Sequence, residues 1–143
     1  MAKSTLKLST EVNEGFKTKV KASHEFYIDQ PKPGGTNVGP NPLEYFLSSL
    51  GGCICAIGRI ISAQRKLNVR SIHVDIEGDI DKDFLLGQTT EGRAGFVEIR
   101  ANVKIDSDMT LAEKQAFLDE VEKRCPIADN VGNRSKIVSR VVE

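Results

Sequence analysis

Asn41-Pro42-Leu43-Glu44-Tyr45-Phe46-Leu47-Ser48-Ser49-Leu50-Gly51-Gly52-Cys53-Ile54-Cys55 opens the stretch that decides the fold. Asn41 suits a helix N-cap, Pro42 the first helical position, and Glu44 the third, where its carboxylate can return to the cap. Leu43, Phe46, Leu47, Leu50, Ile54, Ile57, Ile60 and Ile61 then keep helical spacing to about Leu67. At about 24 residues this helix is long for a small domain, which predicts a central position. Nearly opposite the apolar stripe lie Ser48, Gly51, Cys55, Gly58 and Ser62. A glycine inside a helix costs about 0.8–1 kcal/mol relative to alanine, so several of them on one face predict close approach by another element. A helix with an apolar face and a small face is buried on both sides, as in a core that extends into a dimer interface.

Upstream, Leu6 and Leu8, then Phe16, Thr18, Val20 and Ala22, then Phe26 and Ile28 alternate around Asn13-Glu14-Gly15, predicting two or three antiparallel strands. Residues 31–42 hold four of the five prolines and three glycines, which predicts an ordered loop or lid. Downstream, Ile72, Val74 and Ile76 form one alternating strand, and Val97, Ile99, Ala101, Val103 and Ile105 a second, joined by a polar loop. Thr110-Leu111-Ala112-Glu113 is a capping box for a helix to about Arg124, which Pro126 ends. Ile137, Val138, Val141 and Val142 predict a last strand. The order is βββ-α-ββ-α-β, an α+β layer fold in one domain over residues 1–143, without repeats.

Twenty basic and twenty acidic residues cancel over the 143 positions, and no Lys/Arg run is present. Nucleic acid and anionic membranes are therefore excluded as expected partners. Hydrophobic residues at 39% exclude disorder of the whole chain. No apolar stretch is read as long enough to span a bilayer, and residues 1–5 do not lead into a signal core. The expectation is a soluble, cytosolic protein.

In that compartment three cysteines are either packing residues or chemistry, not a disulfide framework. Cys53 is mid-helix at the edge of the apolar stripe. It is either a buried packing residue or a nucleophile reached through the space beside Gly51-Gly52. Cys125 ends the second helix, where the partial negative charge of a helix C-terminus disfavours a thiolate, so it suits resolving better than attack. Together the two would make a peroxidatic pair, in which a sulfenic acid on one condenses with the thiol of the other. Cys55 lies about 200° around the helix from Cys53 and reads as structural. His24 and His73 show no ligand spacing, so no metal is expected. Gly34-Gly35-Thr36-Asn37-Val38-Gly39 lacks the Gly-Lys-Ser/Thr ending of a phosphate loop.

Gly34-Gly35, Gly39-Pro40-Asn41-Pro42-Leu43-Glu44, Gly51-Gly52-Cys53, Gly95-Phe96 and Cys125-Pro126 together resemble the OsmC/Ohr family, the osmotically inducible and organic-hydroperoxide-resistance proteins. The resemblance runs from about residue 15 to the C-terminus. It implies an intertwined homodimer with two long central helices and sites at the subunit interface. It also implies thiol-dependent reduction of organic hydroperoxides without metal, flavin or other cofactor. Cys53 matches the peroxidatic cysteine, Cys125 the resolving one, and a dithiol, in lipoyl-linked members a protein-bound lipoamide, reduces the disulfide. The chain departs from the characterised peroxidases twice. Leu43 stands where they carry a glutamate, leaving Glu44 one position later as the candidate catalytic carboxylate or as a cap. Their early-strand arginine is absent, the early strands offering Lys17, Lys19 and Lys21 instead. Two functions follow: a hydroperoxide-reducing enzyme, or a non-catalytic member of the fold that binds an apolar ligand or senses redox state.

Overall fold

Three short strands, β1 (Ser9–Val12), β2 (Thr18–Lys21) and β3 (Glu25–Ile28), begin the chain. The computed structural model describes residues 2–143. The strands form an antiparallel sheet in the order β1-β2-β3, with Val20 opposite Thr10 on one side and Phe26 on the other. Gly15, at φ +57°, makes the turn that the Asn-Glu-Gly signal predicts. Leu6 and Leu8 lie outside β1 and are exposed, because no neighbouring strand pairs with that segment.

After β3 the buried carboxylate of Asp29 organises the proline-rich loop. It accepts hydrogen bonds from the backbone N–H groups of Gln30 (2.8 Å), Thr36 (3.1 Å) and Val38 (3.2 Å), and from the Thr36 hydroxyl (2.5 Å). These bonds hold the Asp29 carboxyl at about 2, down from its ordinary value of 3.8, with the Thr36 hydroxyl the largest cause. Gly35 has no room for a side chain, since a Cβ there would overlap the Gln30 carbonyl. The loop is ordered as expected.

The helix α1 (Pro42–Arg65) follows, with Asn41 Oδ1 accepting from the Glu44 N–H at 2.9 Å. Among the described residues the Glu44 carboxylate has no hydrogen-bond partner, so only half of the expected box forms. By length and composition α1 is long and apolar enough to cross a membrane, which corrects the reading that no stretch is. Its buried Leu50, Ile54 and Ile61 belong instead to a packed core with Val69, Ile105, Phe117 and Val121. Each such side chain contributes about 1.5–3 kcal/mol on burial.

Next come β4 (Val69–Asp79), a single-turn helix α2 (Lys82–Leu85), β5 (Glu98–Ser107), α3 (Leu111–Arg124) and α4 (Pro126–Gly132). The order is thus βββ-α-β-α-β-α-α. β4 and β5 pair antiparallel, with Ile72, Val74 and Ile76 turned inward and His73, Asp75 and Glu77 outward. The small face of α1 lies against this sheet. A Cβ on Gly58 would stand 2.5 Å from Ile72 Cδ1, and one on Gly51 3.0 Å from Ile76 Cδ1. The expected close approach is therefore made by a strand. Thr110 and Glu113 form both bonds of the capping box at α3.

Three elements differ from expectation, the additional helix α4 among them. Asp81 accepts from the N–H groups of Asp83 and Phe84, which turns part of the polar loop into α2. At the C-terminus, residues 134–143 form no strand, and Ile137, Val138, Val141 and Val142 are exposed. A strand needs a neighbouring edge to pair with, and this segment pairs with none of the edges that the two sheets leave open. The residues gather into two compact units, Met1–Phe46 and Leu47–Glu143.

Candidate functional site

The second unit contains Cys53 on α1 and Cys125 at the junction of α3 and α4. Pro126 ends α3 as expected, because the residue before a proline avoids the helical region, and Cys125 sits at φ −79°, ψ 113°. The same proline then occupies the first position of α4. Cys125 is consequently both the C-cap of α3 and the N-cap of α4, and its Sγ accepts the Ala128 N–H at 3.4 Å. The sequence reading considered only the end of α3 and its negative field. The N–H on the sulfur is the feature it missed, and the signal for it was proline's equal fitness to open a helix.

The fold brings the two thiols together. Cys53 packs against the core cluster that contains Cys125, near enough for the Cys125 thiol and the Ile127 N–H to act on its titration. Cys53 is half-buried, while Cys125 is 0% exposed within the core. Burial pushes the Cys53 thiol up from its ordinary value, and the Cys125 thiol adds to the rise. The Ile127 N–H acts in the opposite sense by favouring the thiolate.

Of the glycines before Cys53, Gly51 serves packing against Ile76, whereas a Cβ on Gly52 would meet nothing within 4 Å. Cys55 Sγ points to the Ile72 carbonyl at 3.9 Å, away from the pair. The Phe96 ring of the Gly95-Phe96 pair lies where a side chain on Gly78 would collide with it. Among the described residues no group of three or more His, Cys, Asp or Glu side chains could hold a metal. Glu44 lies in the first unit, where it is exposed; Leu43 beside it is half-buried.

A long two-faced helix on an antiparallel pair, with Cys53 packed against the core that holds Cys125 at a helix–helix junction, defines a small α+β protein. Its fold is shared with the OsmC-like protein of Mycoplasma pneumoniae, at 22% identity and a TM-score of 0.80 over 93% of this chain and 91% of that one. An organic hydroperoxide resistance protein of Elizabethkingia anophelis, crystallised with thiocyanate, aligns over 93% of each chain at 20% identity and a TM-score of 0.68. The OsmC-like protein family matches residues 34–140, most of the chain, and the chain belongs to that family. Among curated relatives, the hydroperoxide reductase of Mycoplasma genitalium is 28% identical over 95 residues, which are 66% of this chain and 64% of that protein. An uncharacterised protein of Methanocaldococcus jannaschii matches at 28% over 92 residues, or 44% of its length. The chain thus spans about half to two thirds of the curated relatives it matches.

Proposed function

We propose that this protein is a thiol-dependent peroxidase that reduces organic hydroperoxides. The observation that carries the proposal is a half-buried Cys53 packed against the core that holds a fully buried Cys125. A peroxide meets Cys53 first, so Cys53 attacks and Cys125 resolves. The Cys53 thiolate attacks the terminal peroxide oxygen, and the O–O bond breaks. The alkoxide leaves and takes a proton to become the alcohol, while Cys53 becomes a sulfenic acid. The Cys125 sulfur then attacks the Cys53 sulfur, releasing water and forming the disulfide. A dithiol, of the lipoyl type in our reading, restores both thiols through a mixed disulfide and leaves as its own disulfide. No metal or organic cofactor enters these steps.

Glu44 is the third residue in the proposal, as a carboxylate that assists the peroxide; its unpartnered oxygens support that use. We also propose that two copies form a homodimer of one-domain subunits. The exposed, unpaired Ile137, Val138, Val141 and Val142 support it, since a bare apolar segment is stabilised by another chain's edge. The three free thiols fit a cytosolic location.

Peroxide consumption with cumene hydroperoxide and dihydrolipoamide tests the proposal in wild type, Cys53→Ser, Cys125→Ser and Glu44→Gln. Turnover abolished in Cys53→Ser, and reduced in the other two, supports it; equal turnover in wild type and Cys53→Ser refutes it. The second reading, a binder or redox sensor without turnover, draws on the burial that keeps Cys53 protonated. Its mark is a wild type that reacts once and does not recycle with the dithiol.

A further inference from the structure

The first two N–H groups of α4 that need an acceptor are both directed at the two cysteines. The Ala128 N–H bonds to Cys125 Sγ at 3.4 Å, and the Ile127 N–H acts on Cys53, favouring its thiolate. Every helix leaves its first four N–H groups without intrahelical partners. In most helices an Asn, Asp, Ser or Thr oxygen serves the first turn. Here the thiol pair takes that part, and the next amide, Asp129 N–H, closes on the Cys125 carbonyl at 3.0 Å.

Apart from the cap, α4 is held by Ile127 and Ala128, which pack against the core. It is seven residues long and none of its residues is fully buried. By contrast, Cys53 belongs to a helix whose Leu50, Ile54 and Ile61 are locked in the core. Any movement needed between the two sulfurs therefore falls on the α3–α4 junction.

We propose that the thiol pair is a redox-read cap, such that forming the Cys53–Cys125 disulfide uncaps α4 and loosens residues 126–133. The proposal rests on the reading of these residues as a redox pair. The chemistry is balanced: the two thiols give up two protons and two electrons, and an alkyl hydroperoxide accepts them to become alcohol and water. A covalent S–S bond of about 2.05 Å is far inside non-bonded contact at roughly 3.5–4.0 Å, so the sulfurs must close on each other. The closing pulls Cys125 Sγ from the Ala128 N–H. It also turns sulfurs that can carry charge into neutral ones, which accept hydrogen bonds more weakly. The consequence is access. α4 supplies Ala128 and Val131 to one wall of a groove of about 540 Å³, whose other side includes Leu50, Ile54, Ile99 and Ala101. Cys125 is 0% exposed, so a reducing dithiol reaches its sulfur only when the elements packed over it loosen.

The test is amide exchange at Ile127, Ala128 and Asp129 in the full chain, reduced and after oxidation with diamide, with the disulfide verified by peptide mass. Loss of a cap weakens a helix end by about 0.5–1 kcal/mol, so exchange should accelerate about two- to fivefold in the oxidised protein. Diamide-treated Cys53→Ser, which cannot form the bond, should keep the slow rates at Ala128 and Asp129. Reduced Cys125→Ala, without the acceptor, should match the fast ones at Ala128, while Cys125→Ser should stay slow there. Equal rates in reduced and oxidised wild type overturn the proposal, as does failure of diamide to join the two cysteines. If diamide forms the disulfide with the predicted exchange change but hydroperoxide does not form it, the peroxidase reading fails and the redox-read cap stands.

Discussion

The approach of α1 to β4 is tight enough to set the sign of a mutation through a single methyl group. A Cβ added at Gly58 stands 2.5 Å from Ile72 Cδ1, while its other neighbours, Phe117 Cζ and Cε1, lie at ordinary distances of 3.6 and 3.7 Å. Gly58→Ala gains about 0.8–1 kcal/mol of helix propensity. It also forces the Ile72 side chain off its position, at an overpacking cost of about 1–3 kcal/mol. The net expectation is a loss of about 0–2 kcal/mol. Ile72→Val deletes Cδ1 and alone costs about 0.5–1.5 kcal/mol. In the Ile72→Val background the collision is gone, so Gly58→Ala should stabilise by up to about 1 kcal/mol. The cycle therefore predicts a favourable coupling of at least about 1 kcal/mol, read from urea midpoints at unchanged m-value. Additive effects within about 0.3–0.5 kcal/mol would refute the packing argument.

Three further outcomes are expected. Asp29 is at about 2 in the fold against an ordinary 3.8, so its contribution is present above about pH 4 and is lost as pH falls through 2. Urea midpoints between pH 5 and 2 should drop less steeply in Asp29→Asn than in wild type; parallel slopes would contradict the assignment. Thr110→Ala removes the side-chain half of a complete capping box and should lower stability by about 1 kcal/mol, measured by thermal unfolding. Because burial raises the Cys53 thiol, its alkylation by iodoacetamide in Cys125→Ser should still be climbing above the ordinary thiol value of about 8.5. A plateau below pH 7 would show that a cation overrides the burial.

The helices were legible where local chemistry is strong. Asn41-Pro42 and the Thr110…Glu113 box mark real starts, and the small face of α1 announced the close approach of β4. The period-two alternation of Ile72–Ile76 and Ile99–Ile105 located β4 and β5. What failed was long-range or two-valued. Ile137–Val142 is rich in β-branched residues like a strand, yet pairing is decided by an edge elsewhere, which composition does not reveal. Pro126 carries two meanings, stop and start, and only the second places the Ala128 N–H on Cys125. The thiols themselves were found by residue type and by family likeness. Their proximity could not be read from sequence, because 72 positions separate them and the intervening sheet sets their distance. Asp29, which holds the loop, gave no signal beyond being an acid before a proline-rich segment.

The most direct test is peptide mass mapping after one equivalent of cumene hydroperoxide, with no added reductant. The account predicts that Cys53 and Cys125 are joined in a single disulfide, that Cys125→Ser stops at a Cys53 sulfenic acid trapped by dimedone, and that Cys55 remains a free thiol. Oxidation spread over all three cysteines, or an unmodified protein beside unconsumed peroxide, would contradict it.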